Sequence, residues 1–402
     1  MTALRPRVAK RLAPFGTTIF SEMTALAVKH GAINLSQGFP DFEGPAQIVD
    51  AAVAAMRQGQ SNQYVRSMGH PELVAAVAER VKSDYGLAWD PMAEVMITCG
   101  ATEGIAAAML GLVDPGDEVI LFEPVYDSYP ATVAMAGGVA RYCPLRAPDF
   151  AFDEAELAGL FGPRTRVLLL NSPHNPTGKV FAPDELAAIA RLCQAHDVVV
   201  VADEVYEHLT YDGAVHVPIA TLPGMAERTL SISSLGKTYS LTGWKTGWTT
   251  GPAALVAAAQ AAHQFLTFCT PGPIQQAAAH ALRSLGGDFV AGLKAEYQAR
   301  RDLLVGALRD VGFDVAPPAG TYFVMAGFRA LFDGDDRAFA YHLAEHHGVA
   351  CVPPSVFYPA HPDEGRGLAR FAFCKREETL REAVGRLGGL GGRVGVVGWH
   401  EG

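Results

Sequence analysis

The sequence predicts an α/β protein, with helices on both faces of a mainly parallel sheet and a smaller α+β domain after it. Three observations predict it. Short apolar runs without polar alternation recur from about residue 46 to 285, as in Glu118–Phe122, Arg166–Leu170 and Val198–Ala202. Such runs suit strands buried on both faces. Helical patterns separate them, for example Pro183–His196, with Asp184 and Glu185 in a first turn where the helix dipole favours acids. Beyond residue 285 the character changes. A charged amphipathic stretch, 293–311, leads into an aromatic segment, Thr321–Met325, and a strand candidate, Leu368–Phe373. The expected division is 1–45 as an N-terminal arm and part of the small domain, 46–285 as the large domain, and 286–402 as the C-terminal small domain. The 402 residues, 49% of them hydrophobic, exceed the roughly 250–300 at which single cores stop growing.

Charge and composition exclude several functions. With 32 basic against 42 acidic residues and a net of −10, there is no electrostatic reason to bind nucleic acid or an anionic membrane. No apolar run approaches the roughly 20 residues that span a bilayer. The first twenty residues hold Arg5, Arg7, Lys10 and Arg11 without an acid or an apolar core, so an exposed arm or first helix is expected rather than a secretory signal. Six cysteines (Cys99, Cys143, Cys193, Cys269, Cys351 and Cys374) are scattered, with no C-x-x-C pair. Neither zinc nor a disulfide framework is indicated, and a reducing, cytoplasmic setting fits. The glycine-rich tail from Gly388 lacks the strand–turn–helix context of a dinucleotide site.

The chemistry-bearing segments follow in chain order. Leu35-Ser-Gln-Gly-Phe-Pro-Asp41 places Gly38 in an expected tight turn, where a backbone N–H can meet a carboxylate. Asn62-Gln-Tyr64 offers a tyrosine hydroxyl. Gly100-Ala-Thr-Glu-Gly104 separates a strand candidate, Glu94–Thr98, from an apolar helix, so Ala101 and Thr102 would offer free N–H groups to a phosphate. Many strand-to-helix turns are glycine-rich without holding one. Tyr126, in Glu123–Tyr129, can stack on a flat heteroaromatic ring; a core tyrosine is its plain alternative.

Asn171-Ser-Pro-His-Asn-Pro-Thr-Gly178 follows the strand ending at Leu170, with prolines that fix the turn and aim Asn175. Val198–Ala202 ends in Asp203-Glu-Val-Tyr206, which puts a carboxylate where ligands bind in open α/β sheets. There Asp203 can pair with a protonated pyridine nitrogen and Tyr206 can reach a ring oxygen; a helix-capping Asp is the alternative. The most informative segment is Ser231–Trp248. Lys237 stands among hydroxyl side chains, with Lys245 eight residues on and Ser234 before it. A lysine that forms a Schiff base must lose its proton, and a second cation or desolvation favours that loss. Arg370 lies inside an apolar strand candidate and needs a partner, either a substrate α-carboxylate held bidentate or an internal salt bridge.

Together these segments resemble class I/II aminotransferases of fold type I, from about Phe15 to Thr379. They are most similar to the branch containing kynurenine, glutamine and methionine aminotransferases and N-succinyldiaminopimelate aminotransferases. The resemblance implies a mainly parallel seven-stranded sheet, the cofactor pyridoxal 5'-phosphate, and a homodimer with shared active sites. It implies that Lys237 carries the cofactor, with Asp203 at the pyridine nitrogen, Tyr206 at the ring hydroxyl and Asn175 beside it. Tyr126 would stack on the ring. Ala101, Thr102, Ser234 and Lys245 would hold the phosphate, with Tyr64 lent by the partner subunit. Gly38, Asn175 and Arg370 would receive the substrate carboxylate. Lys245 replaces the arginine of many class I/II enzymes, which keeps the charge and narrows the branch.

The activity implied is ping-pong transfer of an α-amino group to a 2-oxo acid. The donor side chain is expected to be large, apolar or aromatic if Phe265 and Phe268 line its pocket; both could equally be core. A carbon–sulfur β-lyase shares the same residues, and N-succinyldiaminopimelate is an alternative donor. A ligand-sensing regulator built on this fold would need a basic DNA-binding module, and none is read here.

Overall fold

The computed structural model describes residues 8–390, so Arg5, Arg7 and most of the glycine-rich tail lie outside the described residues. The chain forms two compact units. The first comprises residues up to Gly16, Phe42–Glu296 and Ala319–Thr321; the second comprises Thr17–Asp41, Tyr297–Pro318 and the chain from Tyr322.

The first unit is built on a seven-stranded sheet. From one edge, its strands are Val95–Thr98, Gly247–Thr250, Thr229–Ser234, Val199–Asp203, Thr165–Asn171, Glu118–Glu123 and Val139–Pro144. Gly247–Thr250 runs antiparallel to both its neighbours, and the remaining contacts are parallel. The central strands bury Val167, Leu169, Val201, Leu230 and Ile232 on one face against the helix Gly100–Leu112. Leu168, Leu170 and Val200, adjacent to them in sequence, are buried as well, and a sheet buried on both faces needs apolar residues at consecutive positions rather than at alternate ones. The helix Pro71–Tyr85 starts on a His70 cap and stops at Gly86, whose left-handed φ of 74° no β-carbon favours. The helix Pro183–Ala195 has proline in its first turn, and Glu185 accepts the Ala182 N–H at 2.8 Å.

In the second unit, Phe323–Gly327 and Leu368–Ala372 pair antiparallel, and Ile33–Asn34 pairs parallel with Val349–Ala350. The helix Asp336–His347 is capped by Asp335 and ends at Gly348. It packs through Phe339, which stacks on Phe328 with ring centres 4.1 Å apart. The helix Gly287–Val311 is longer than its charged stretch implied. Its first turn, Gly287-Asp-Phe, has low helix propensity and gives little local signal.

Candidate active site

The carboxyl ends of the parallel strands converge, and the chemistry-bearing residues stand there. Asp203 is the last residue of its strand and is 4% exposed. Tyr129 donates its hydroxyl to Asp203 Oδ2 at 2.6 Å, and the Val205 N–H reaches Oδ1 at 3.3 Å. Burial pushes the Asp203 carboxyl up to about 6, against the lowering effects of the Tyr129 and Val205 hydrogen bonds and the Lys237 charge. A carboxyl held this way favours a cation placed against it.

Lys237 lies in a one-turn helix, Leu235–Thr238, that begins where the strand Thr229–Ser234 stops. Its Nζ is 5.5 Å from the centre of the buried Tyr206 ring. Asn171 ties the neighbouring strand ends together. Its Nδ2 donates to the Asp203 carbonyl at 2.9 Å, while its Oδ1 accepts the Asn175 N–H at 2.7 Å. Lys237, Asp203, Tyr206 and Asn175 are thereby held on one floor. Tyr126 is half-buried and packs edge-on to Tyr129 at 5.5 Å.

A second group forms where the helix Gly100–Leu112 starts. Gly100 has a φ of 72°, and a β-carbon there would lie 3.3 Å from Lys245 Nζ. Ser234 pairs in register with Gly247. A β-carbon on Gly247 would lie 2.7 Å from the Ala101 nitrogen, so only glycine lets the strand pass this close. Ser234, Lys245 and the Gly100–Thr102 turn are brought together by that passage. A hydroxyl, an ammonium and the free N–H groups of a helix start are the donors a phosphate requires. The residues therefore fit pyridoxal 5'-phosphate at both ends: a charge-accepting floor for its ring and a cradle for its phosphate.

Tyr64 is 88% exposed and meets Phe268 edge-on at 5.5 Å, while Phe265 is 84% exposed. The core alternative for these phenylalanines does not hold, because they sit at and just beyond the end of the helix Ala253–Leu266, outside the packed face.

In the second unit, Arg370 is 1% exposed and donates to the Ser36 carbonyl at 2.7 Å. Its guanidinium stacks on Phe323 at 4.2 Å, with Phe20 and Phe357 at 5.2 and 5.4 Å. Gly38 is not in a left-handed turn. Glycine is required there because a β-carbon would meet the Phe323 ring at 2.5 Å, and its carbonyl accepts the Tyr322 hydroxyl at 2.6 Å. Gly38 and Arg370 thus share the Phe323 ring.

Two contributors escape a sequence reading. Tyr129 stands three residues after Tyr126 but reaches a carboxylate 74 positions away. Asn171 opens its proline-rich octet, and only the strand pairing reveals what its amide joins. Among the described residues no helix is long and apolar enough to cross a membrane, and no group of three or more His, Cys, Asp or Glu can hold a metal.

Comparison with known proteins places this chain in a family. The family described as Aminotransferase class I and II matches residues 30–387. A probable N-succinyldiaminopimelate aminotransferase of Mycobacterium tuberculosis is 48% identical, over 95% of this chain and 98% of its own length. The methionine aminotransferase of Escherichia coli is 41% identical, over 94% and 97%. The solved structure of N-succinyldiaminopimelate aminotransferase from Mycobacterium tuberculosis superposes with a TM-score of 0.92, covering 95% of this chain and all of that one.

Proposed function

The chain belongs to the class I and II aminotransferases, enzymes that use pyridoxal 5'-phosphate, and from that premise we propose that it moves the α-amino group of an amino acid with a large apolar or aromatic side chain to a 2-oxo acid. When bound, the cofactor supplies an electron sink that makes the α-proton of an amino acid removable. The chain's own residues would do the rest. Lys237 Nζ would take the proton from the substrate's Cα as a general base. Asp203, held by Tyr129, would keep a negative charge against the ring nitrogen. Tyr206 would meet the ring hydroxyl beside Asn175, and Tyr126 would stack on the ring. Ala101, Thr102, Ser234 and Lys245 would hold the phosphate. Arg370 would receive the α-carboxylate with Gly38 and Asn175.

The exposed rings of Phe265, Phe268 and Tyr64 carry the substrate reading, since bare aromatic surface of this kind marks a binding face. Val49, Val53 and Met56 add an exposed apolar stripe at helical spacing on Ala46–Arg57. A homodimer that covers this face would bring Tyr64 to the partner's phosphate, and a cytoplasmic setting suits the six free thiols. The kinship to an N-succinyldiaminopimelate aminotransferase favours a second reading of the donor. Steady-state rates with methionine, phenylalanine, kynurenine and N-succinyldiaminopimelate decide between them. A succinylated donor preferred by more than about tenfold would overturn the apolar reading, and release of pyruvate, ammonia and thiol from an added cysteine conjugate, without amino transfer, would favour the lyase.

Arg370→Gln is expected to lower kcat/KM by about 2–5 kcal/mol, the cost of removing one partner of a buried charge pair, mostly through KM. An amine without an α-carboxylate should react equally poorly with variant and wild type. Equal loss on both substrates would show that Arg370 serves folding instead.

A further inference from the structure

His263 lies on the helix Ala253–Leu266 and is fully buried. Its Nδ1 is 2.9 Å from Glu103 Oε1, and its Nε2 is 2.9 Å from the Ser67 carbonyl oxygen. A carbonyl only accepts, so Nε2 carries a proton and donates it. An ionised carboxylate also only accepts, so Nδ1 carries one too. The ring is an imidazolium in a buried ion pair. Burial opposes that charge, but the Glu103 hydrogen bond and charge, with the Ser67 carbonyl, outweigh it and hold the pKa above its ordinary value. Thr267 Oγ1, 3.3 Å from Nδ1, and the Phe268 backbone also face the ring.

The position of Glu103 gives this pair its significance. It lies in the first turn of Gly100–Leu112, and its Oε2 accepts the Cys99 N–H at 3.0 Å, one residue before Gly100. A bare carboxylate there would repel a phosphate dianion at the helix start, against the attraction of the helix dipole. Ser67, on the other side of the ring, lies three residues after Tyr64. Glu103, Ser67 and the end of the Phe265 helix are therefore joined through one imidazolium.

We propose that His263 is a positioning residue for the cofactor phosphate: its buried positive charge cancels Glu103 beside the Gly100–Thr102 turn and clamps that turn to the Tyr64–Ser67 segment. This rests on the cofactor assignment above. The test titrates cofactor-free protein with pyridoxal 5'-phosphate and with pyridoxal, which lacks the phosphate, following tryptophan fluorescence. His263→Gln should weaken pyridoxal 5'-phosphate by about tenfold, equivalent to about 1.4 kcal/mol, and change pyridoxal by less than about twofold. Adding Glu103→Gln to His263→Gln should recover most of the loss, which a merely structural defect would not do. Glu103→Gln alone should bind pyridoxal 5'-phosphate no more weakly than wild type, and it carries the test if His263→Gln does not fold. Unchanged affinity in His263→Gln, equal weakening toward both ligands, or a double variant no tighter than the single would overturn the proposal. Wild-type protein that bound neither ligand would overturn the cofactor reading along with it.

Discussion

Replacing Lys237 with alanine is expected to lower turnover by more than about 10⁴-fold, the upper end of what a positioned general base contributes. The size follows from two losses at one atom: in the proposed reaction Nζ would be both the covalent anchor and the proton carrier. Ser234, Lys245 and the Gly100 turn are untouched by the change, so the variant should still bind the cofactor, now removable by dialysis. Rapid-mixing absorbance with a single amino acid measures the first half-reaction separately from cofactor loss. A variant that converted its cofactor within tenfold of the wild-type rate would remove Lys237 from the chemistry.

Asp203→Asn should be nearly as damaging to activity and, in cofactor-free protein, beneficial to stability. Loss of one member of a buried charge pair costs about 2–5 kcal/mol, here the pair that Asp203 would form with the cofactor's ring nitrogen. The stability effect has a defined sign. Asp203 titrates at about 6 in the fold against an ordinary 3.8, so the folded chain holds its proton more tightly than the unfolded chain. The resulting penalty is absent below the ordinary carboxyl range, grows as pH rises through the interval, and is complete above about 6. It amounts to roughly 3 kcal/mol. The asparagine variant never ionises. Its cofactor-free form should therefore melt several degrees above wild type at pH 8 and show no such gain at pH 4. An equal or lower melting temperature at pH 8 would mean that Asp203 is not held at a cost.

The sheet and the strand ends that carry the candidate site were legible because each depends on local pattern. Val199–Asp203 reads as a strand from consecutive valines, and Asp203 reads as a site because the apolar run breaks there. The Gly100 turn and the proline-rich octet announce themselves by residue type. What stayed hidden is carried by pairs distant in the chain. Tyr129 carries no local mark of its role, because only the fold brings Asp203 to its hydroxyl. His263 reads as one polar residue in an alanine-rich helix, and its partner Glu103 is 160 positions away. Gly38 suggested a turn from its neighbours Phe39 and Pro40, yet the demand for glycine comes from Phe323, 285 residues later. Antiparallel Gly247–Thr250 was illegible for the same reason: strand direction is set by the partner.

The assignment of the cofactor to Lys237 is tested most directly by trapping it. Cofactor-loaded protein is reduced with borohydride, digested, and its peptides are weighed by mass spectrometry. The pyridoxyl adduct is expected on the peptide containing Lys237, and Lys237→Ala should yield none. An adduct on Lys245 or another lysine, with the Lys237 peptide unmodified, would contradict it.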